Sequence, residues 1–468
     1  MHTSRWVLVL QRSAFSESMG GELSMGMSHG AEPGTVWRPP PRKRGIFLLK
    51  RLAEVGQAGV RVRPLGGNRA GEVRLGRFLH NPRVTPHEMV ATASARTAGL
   101  VAGRHVLVIQ DTTSLRDDGD QRSLHLHPAI AVDAADGALL GLVHATFLRR
   151  TGGKRALCAK RPFAEKDSRR WLDATHEAGK LVGAGAACVT VVMDREADLY
   201  EEFACRPAET ELLVRAHHDR LLADDGKRLY GCTANLPELG RESVTVPAAP
   251  GRPAREAELA LRACQVRIKR PKRNRPAEAA KLPGEVELSF VEAYEVNAPP
   301  GVEPVHWRLL TTHAVTSLAE ARQITRFYRA RWTIEQLFRV MKTKGFDIEA
   351  VRIIEAAPFE KLTAATLIAA IQVLQLMRER DGAGRRPLED VLDPAEQPAL
   401  EAVCATLEGQ TERQKNPHAK GSLAYAAWVC ARLGGWTGYY GKPGPVVILQ
   451  GLLRFKAMLQ GWNLGRLV

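Results

Sequence analysis

The sequence predicts an α/β protein: a mixed-sheet core carrying a mostly β insertion, flanked by α-helical N- and C-terminal domains. Three observations predict it. Residues 105–110 (HVLVIQ) and 188–193 (CVTVVM) are short β-branched runs, the pattern of buried strands, and each runs directly into an aspartate. Helical periodicity dominates 45–100 and again 351–468. Finally, Asp194 and Glu335 stand 141 positions apart, far more than one crossover needs, so something is inserted between them.

Taken in order, residues 1–42 are rich in Gly, Ser, Met, Pro and Arg, lack periodicity, and read as a disordered basic arm. The helical segment 43–100 follows. Its apolar stripe comprises Ile46, Leu49, Leu52 and Val55, and a further helix is expected from Pro86 to Leu100. In 101–350 the pattern predicts strands at 105–110, about 124–132, 138–149, 188–193 and 307–312, with helices at 166–184, 197–204 and 317–344. The order β-β-β-α-β-α fits a ribonuclease-H-like mixed sheet, with Asp111 ending the first strand and Asp194 the fourth. The insertion is placed at about 221–304, where 243–246 and 285–294 alternate as strands do. It also holds a basic run, 267–275 (RIKRPKRNR), which either contacts phosphate or is a solvated loop. The last part, 351–468, is expected to form helices at 358–380, 387–407, 422–433 and 445–460, with Leu449, Leu452, Leu453 and Leu459 as apolar positions.

The chemistry-bearing residues lie at 326–347 (RFYRARWTIEQLFRVMKTKGFD). On one α-helix Tyr328, Arg331, Glu335 and Lys342 would fall within roughly a 60° arc. A carboxylate, two cations and a phenol on one face suit a phosphodiester held beside a metal ion, although a solvated charged face has the same composition. Asp111 and Asp194 change the balance. An aspartate closing a central strand sits where open α/β sheets place their ligands. Two of them with a later Glu make the acidic set that two-metal phosphoryl transfer requires, holding two divalent ions about 4 Å apart.

Asp111 in QDTTSL, Asp194 in MDREADLY and Tyr328-x2-Arg331-x3-Glu335-x6-Lys342 resemble the DDE triad and YREK signature of bacterial cut-and-paste transposases, in the Tn-five-like branch of the insertion-sequence IS-four family. Glu165-Lys166-Asp167-Ser168-Arg169-Arg170-Trp171, the strand begun by Trp307, and Ala431-Arg432-Leu433-Gly434-Gly435 extend the resemblance, which covers roughly 70–465. It implies a Mg²⁺-dependent enzyme with two ions (Mn²⁺ as substitute) on Asp111, Asp194 and Glu335, cutting, hairpinning and rejoining double-stranded DNA at terminal inverted repeats and target sites. It further implies a homodimer across paired ends, built partly from the C-terminal helices, and an end-binding role for 43–100. That domain departs from the family pattern, for instance at Gly76, where a Tyr is usual. Arg331, Lys342 and Tyr328 would clamp a phosphate, and Arg215, His217 and His218 match a stretch near the DNA. Trp307 and Trp332 match tryptophans of that branch and are either platforms for a flipped base or core packing. In the basic run, Lys269, Arg270, Lys272 and Arg273 are the residues expected to meet phosphate. Rival readings are a transposition-inactive DNA-binding inhibitor and a plain ribonuclease-H-fold nuclease.

Composition agrees. With 67 basic and 51 acidic residues the net charge is +16, which favours a polyanionic partner, and DNA is the densest common one. No run of about 18 uninterrupted apolar residues occurs, so a membrane role is not expected and a cytoplasmic, nucleoid-associated location is. The seven cysteines are scattered and never form CxxC, which argues against a zinc module and a secreted disulfide framework. No GxxxxGK[ST] sequence occurs, so no nucleotide cofactor is expected. His125 and His127 would share a strand face, yet no third nitrogen or sulfur ligand lies near in sequence. His127 matches a family position for which the sequence offers no physical role.

Overall fold

The computed structural model describes residues 60–116, 123–149, 162–223, 226–246, 253–271, 281–342, 345–382, 385–439 and 441–465, with the isolated positions 44, 47–48 and 51–52 before them. The expected basic arm at 1–42 lies outside the described residues, as do Ile46, Leu49, Val55, Lys272 and Arg273.

Positions 44, 47–48 and 51–52 are helical, and helices α1 (Val62–Gly66), α2 (Arg69–Leu79) and α3 (Pro86–Ala98) open the continuously described part. A full capping box between Thr85 and Glu88, with Pro86 next, starts α3. One sheet then contains the ten strands of the described residues. Strands β1 (His105–Gln110), β2 (Thr113–Arg116), β3 (Leu124–Asp133) and β4 (Leu139–Arg149) open it, and helix α4 (Arg169–Gly183) crosses to β5 (Cys188–Met193). The short α5 (Tyr200–Ala204) leads to β6 (Thr210–Arg215). Strands β1, β5 and β6 are parallel, with β3 antiparallel beside β1.

Alternation along these strands builds a core on each face. Val106, Val108, Val189, Val191, Leu212 and Val214 face one side, and Leu107, Ile109, Val192 and Leu213 face the other. On α4, Trp171, Ala174, Ala178 and Leu181 recur at helical spacing and cover the first face.

The insertion is β, as expected, but it extends the sheet. Strands β7 (Gly240–Val246), β8 (Arg255–Lys269) and β9 (Glu285–Val296) join antiparallel, and β9 pairs with β10 (His306–Thr311), which pairs with β6. Strands β2, β6 and β8 were not expected from the sequence.

The helix expected at 317–344 is two: α6 (Leu318–Ala330) and α7 (Trp332–Met341). Arg331 keeps helical dihedrals (φ −52°, ψ −31°), but its N–H and that of Ile334 bond three residues back, a 3₁₀ tightening that interrupts the ladder. The second helix stops at Met341, where Phe346 turns into the core and its N–H reaches Val340 O at 2.7 Å. A Cβ on Gly345 would lie 1.9 Å from that carbonyl, so only glycine fits.

Helices α8 (Ala356–Glu379), α9 (Gln397–Leu407), α10 (Leu423–Leu433) and α11 (Pro445–Gly465) complete the chain. The helix expected at 387–407 begins only at 397; Pro394, with no N–H and a ring that clashes one turn back, would interrupt it, and the residues before 397 form two short 3₁₀ turns, 388–390 and 394–396. Helix α8 has the length and composition of a membrane span, but it is mostly buried here, in the core shared with α2, α3, α10 and α11. The buried Lys361 ammonium joins its start to Leu79 O (2.8 Å) and Asn81 O (2.7 Å). Of the C-terminal leucines, Leu449, Leu452 and Leu453 are buried and Leu459 half-buried.

Candidate active site

The parallel pairing of β1 and β5 puts Ile109 level with Val192, so the next-but-one residues, Asp111 and Asp194, leave adjacent strands at the same end of the sheet. Neighbouring strands lie about 4.8 Å apart, which brings the two carboxylates side by side. The junction of α6 and α7 delivers Arg331 between them. Its Nη1 lies 2.9 Å from Asp111 Oδ2, and its Nη2 lies 2.6 Å from Glu335 Oε1 and 4.0 Å from Asp194 Oδ2. Tyr328 is buried and donates its hydroxyl to Asp194 Oδ1 at 3.4 Å. Residues as far apart as 111 and 335 thus meet around one guanidinium.

Electrostatics follow from burial. Asp111 is pushed up to about 6, mainly by desolvation, with Arg331 and the Thr112 N–H (2.8 Å) opposing the rise. Burial disfavours the charge on Arg331, but Tyr328 and the three carboxylates more than compensate and hold its pKa above the ordinary value. Burial, then Asp194, raises the Tyr328 phenol to about 12, against the pull of Arg215, which hydrogen-bonds it.

Three carboxylates face one guanidinium, so two formal negative charges are unbalanced. Hard oxygen donors and excess negative charge suit a divalent ion of the magnesium class. Among the described residues the acidic groups do not already close on a single point; the Arg331 guanidinium occupies the centre they share.

Other expected residues divide. Arg215 ends β6 and lies against Tyr328, and its Nη2 reaches His306 O at 3.4 Å. His217 and His218 follow at the same sheet end, exposed and stacked edge to face (4.8 Å), their backbone N–H groups held by Asp198 Oδ2 at 2.7 and 2.8 Å. Trp307 is half-buried, edge-on to Tyr328 at 5.7 Å, whereas Trp332 is 41% exposed.

Lys342 is a correction. It lies past the end of α7 in extended conformation, so the helical face does not include it, and its Nζ pairs with Glu349 at 2.9 Å. The basic run also differs from expectation. Its first residues belong to β8, where Arg267 pairs with Glu285 (2.8 Å) across the hairpin and Arg270 bonds Leu282 O (2.6 Å). Lys269 is exposed, but β6, β10 and β9 separate β8 from β5, and the run is not gathered with the carboxylates.

A family model described as a transposase DDE domain matches residues 135–371, just over half of the 468 residues. The chain belongs to this family. The match spans Asp194 and Glu335 and begins after Asp111, whose place is given by the sheet register. As a DDE transposase the chain acts on DNA, and the family works through divalent metal ions. The ten-stranded mixed sheet flanked by helices is consistent with a ribonuclease-H-like transposase core.

Sequence reasoning missed the polar groups behind the carboxylates. Thr112, Gln110, Arg170 and Thr175 hydrogen-bond there in a connected chain through His127. The signals available in the sequence were His127 itself and the segment around Arg170 and Trp171, neither of which carries an evident role there.

Proposed function

We propose that this protein is a cut-and-paste transposase of the IS-four family, Tn-five-like branch, in which Asp111, Asp194 and Glu335 hold divalent metal, Mg²⁺ by preference. The observation that supports this most directly is the convergence of these three carboxylates, from two parallel strands and a distant helix, on Arg331. When bound there, two metal ions would supply activation of the attacking oxygen and stabilisation of the leaving oxygen. The chain's own residues do the rest. Arg331, free to exchange carboxylate for phosphate, clamps the scissile group, and Tyr328, kept protonated, donates a hydrogen bond beside it. Arg215, His217 and His218, at the same end of the sheet, contact the DNA flank, and Lys342 does so if DNA displaces Glu349.

All steps are in-line displacements at phosphorus, so one site serves them in turn: nicking to free a 3′-hydroxyl, attack of that hydroxyl on the opposite strand to form a hairpin, reopening, and joining to target. Of the two tryptophans, the exposed Trp332 has the freer ring for a base unstacked by the hairpin bend. Residues 43–100 bind the terminal repeats, and the C-terminal helices pair two protomers. The test is product analysis on a labelled duplex bearing the repeats that flank the gene. Nicked, hairpinned and joined products in order support the reading; nicking alone reduces the protein to a nuclease, and binding without cleavage to an inhibitor.

A further inference from the structure

Behind Asp111 lies a buried polar chain with no part in the steps above. His127 is fully buried on β3. Its Nε2 is 2.8 Å from Gln110 Oε1 and its Nδ1 is 2.9 Å from Thr112 Oγ1, so one imidazole holds both neighbours of Asp111. The partners fix its tautomer. The Gln110 amide nitrogen donates to Thr175 Oγ1 (3.0 Å) and Trp171 O (3.3 Å), leaving Oε1 as acceptor; Nε2 therefore carries the proton and Nδ1 accepts from Thr112. Burial, with Arg170 adding to it, holds the imidazole well below its ordinary pKa, consistent with this neutral form. The ring also stands edge-on to Trp171 at 4.6 Å.

The Thr112 hydroxyl has a second partner, and that partner reaches the other aspartate's loop. Arg170, almost fully buried, donates Nε–H to Thr112 Oγ1 at 3.0 Å and places Nη2 2.7 Å from Glu196 Oε2, two residues past Asp194. Its Nη1 bonds Asp167 O at 2.9 Å, which anchors the guanidinium to the start of α4. The connection runs His127, Thr112, Arg170, Glu196, and so spans from the turn that carries Asp111 to the turn that carries Asp194.

We propose that His127, Thr112 and Arg170 are positioning residues that clamp these two turns together, setting the orientation and separation of Asp111 and Asp194 for divalent metal. This rests on the assignment of those aspartates as metal ligands. Polar groups that orient metal-binding side chains commonly contribute 10–100-fold to metal affinity.

The experiment titrates the full-length protein with Mn²⁺ alone, reading free ion by electron paramagnetic resonance, with thermal unfolding recorded for each variant. Thr112→Val keeps shape and deletes the hydroxyl; it should weaken Mn²⁺ binding about 10–100-fold, and Thr112→Ser should restore it. Recovery in Thr112→Ser distinguishes the hydrogen bonds from packing. Unaltered affinity in a folded Thr112→Val overturns the clamp. If that variant does not fold, Glu196→Gln decides, since Glu196 is an exposed end of the chain: weakened Mn²⁺ binding upholds the proposal and wild-type binding overturns it. Asp111→Ala separates the two levels. Lost affinity there with none lost in Thr112→Val refutes the clamp alone, while unaltered affinity in Asp111→Ala refutes the metal-ligand assignment and the clamp with it.

Discussion

Glu202 offers a prediction whose size can be worked out from the structure. This carboxyl is fully buried on α5; Oε1 accepts from Thr175 and Oε2 has no partner among the described residues. Burial, opposed by the Thr175 hydrogen bond, raises its pKa from the ordinary 4.5 to about 8. Below pH 4.5 both folded and unfolded chains hold the proton, and the carboxyl costs nothing. Between the two values the unfolded chain releases a proton that the fold retains, so stability falls as pH rises, and the loss is complete above about pH 8. At about 1.36 kcal/mol per pH unit the full loss is about 5 kcal/mol, with about 3 kcal/mol already lost at pH 7. Glu202→Gln removes the titration. Its extra N–H donors leave a buried group unpaired at a cost of about 1–3 kcal/mol, the same at every pH. Denaturant unfolding at pH 5 and pH 8 should therefore show wild type losing more stability than the variant between the two, by several kcal/mol, even though the variant starts lower. Equal pH dependence in the two proteins would mean that Glu202 does not hold its proton in the fold.

Three further outcomes follow. Trp332→Ala should leave the unfolding midpoint and first nick near wild type but accumulate nicked, unhairpinned ends on gels; normal hairpin yield would remove Trp332 as a base platform. Trp307→Ala, which removes the ring packed on Tyr328, should instead lower nicking and hairpinning together, and a selective hairpin defect would reassign the platform to Trp307. Replacing Lys269, Arg270, Lys272 and Arg273 by Ala should flatten the plot of log binding constant against log salt by about 0.9 for each phosphate these side chains neutralise, and an unchanged slope would make the run a solvated loop.

Much of this architecture was legible because it is written in local patterns. The β-branched runs of β1 and β5 and the acidic residues that end them marked the site's two strands, and the spacing of Tyr328, Arg331 and Glu335 marked the helical stretch that delivers them, though not its break at Arg331. Where sequence reasoning failed, non-local packing decides the structure. Strand β6 (TELLVR) carries too little alternation to stand out, and it is a strand because β5 and β10 flank it. Lys342 keeps the helical period in sequence, but Phe346 turning into the core ends the helix before it. The basic run looks free of acids in sequence because its partner, Glu285, lies across a hairpin. His127 shows no role in sequence because its partners come from either side of Asp111, on another strand.

In the proposed mechanism Asp111, Asp194 and Glu335 together carry out metal-dependent strand cleavage. The deciding measurement is Mg²⁺-dependent nicking of end-bearing duplex DNA by Asp111→Ala, Asp194→Ala and Glu335→Ala, made beside non-specific DNA binding. Each substitution should abolish nicking and leave binding, which would rest on the basic surface, near wild type. Wild-type nicking by any one of the three variants would contradict this mechanism.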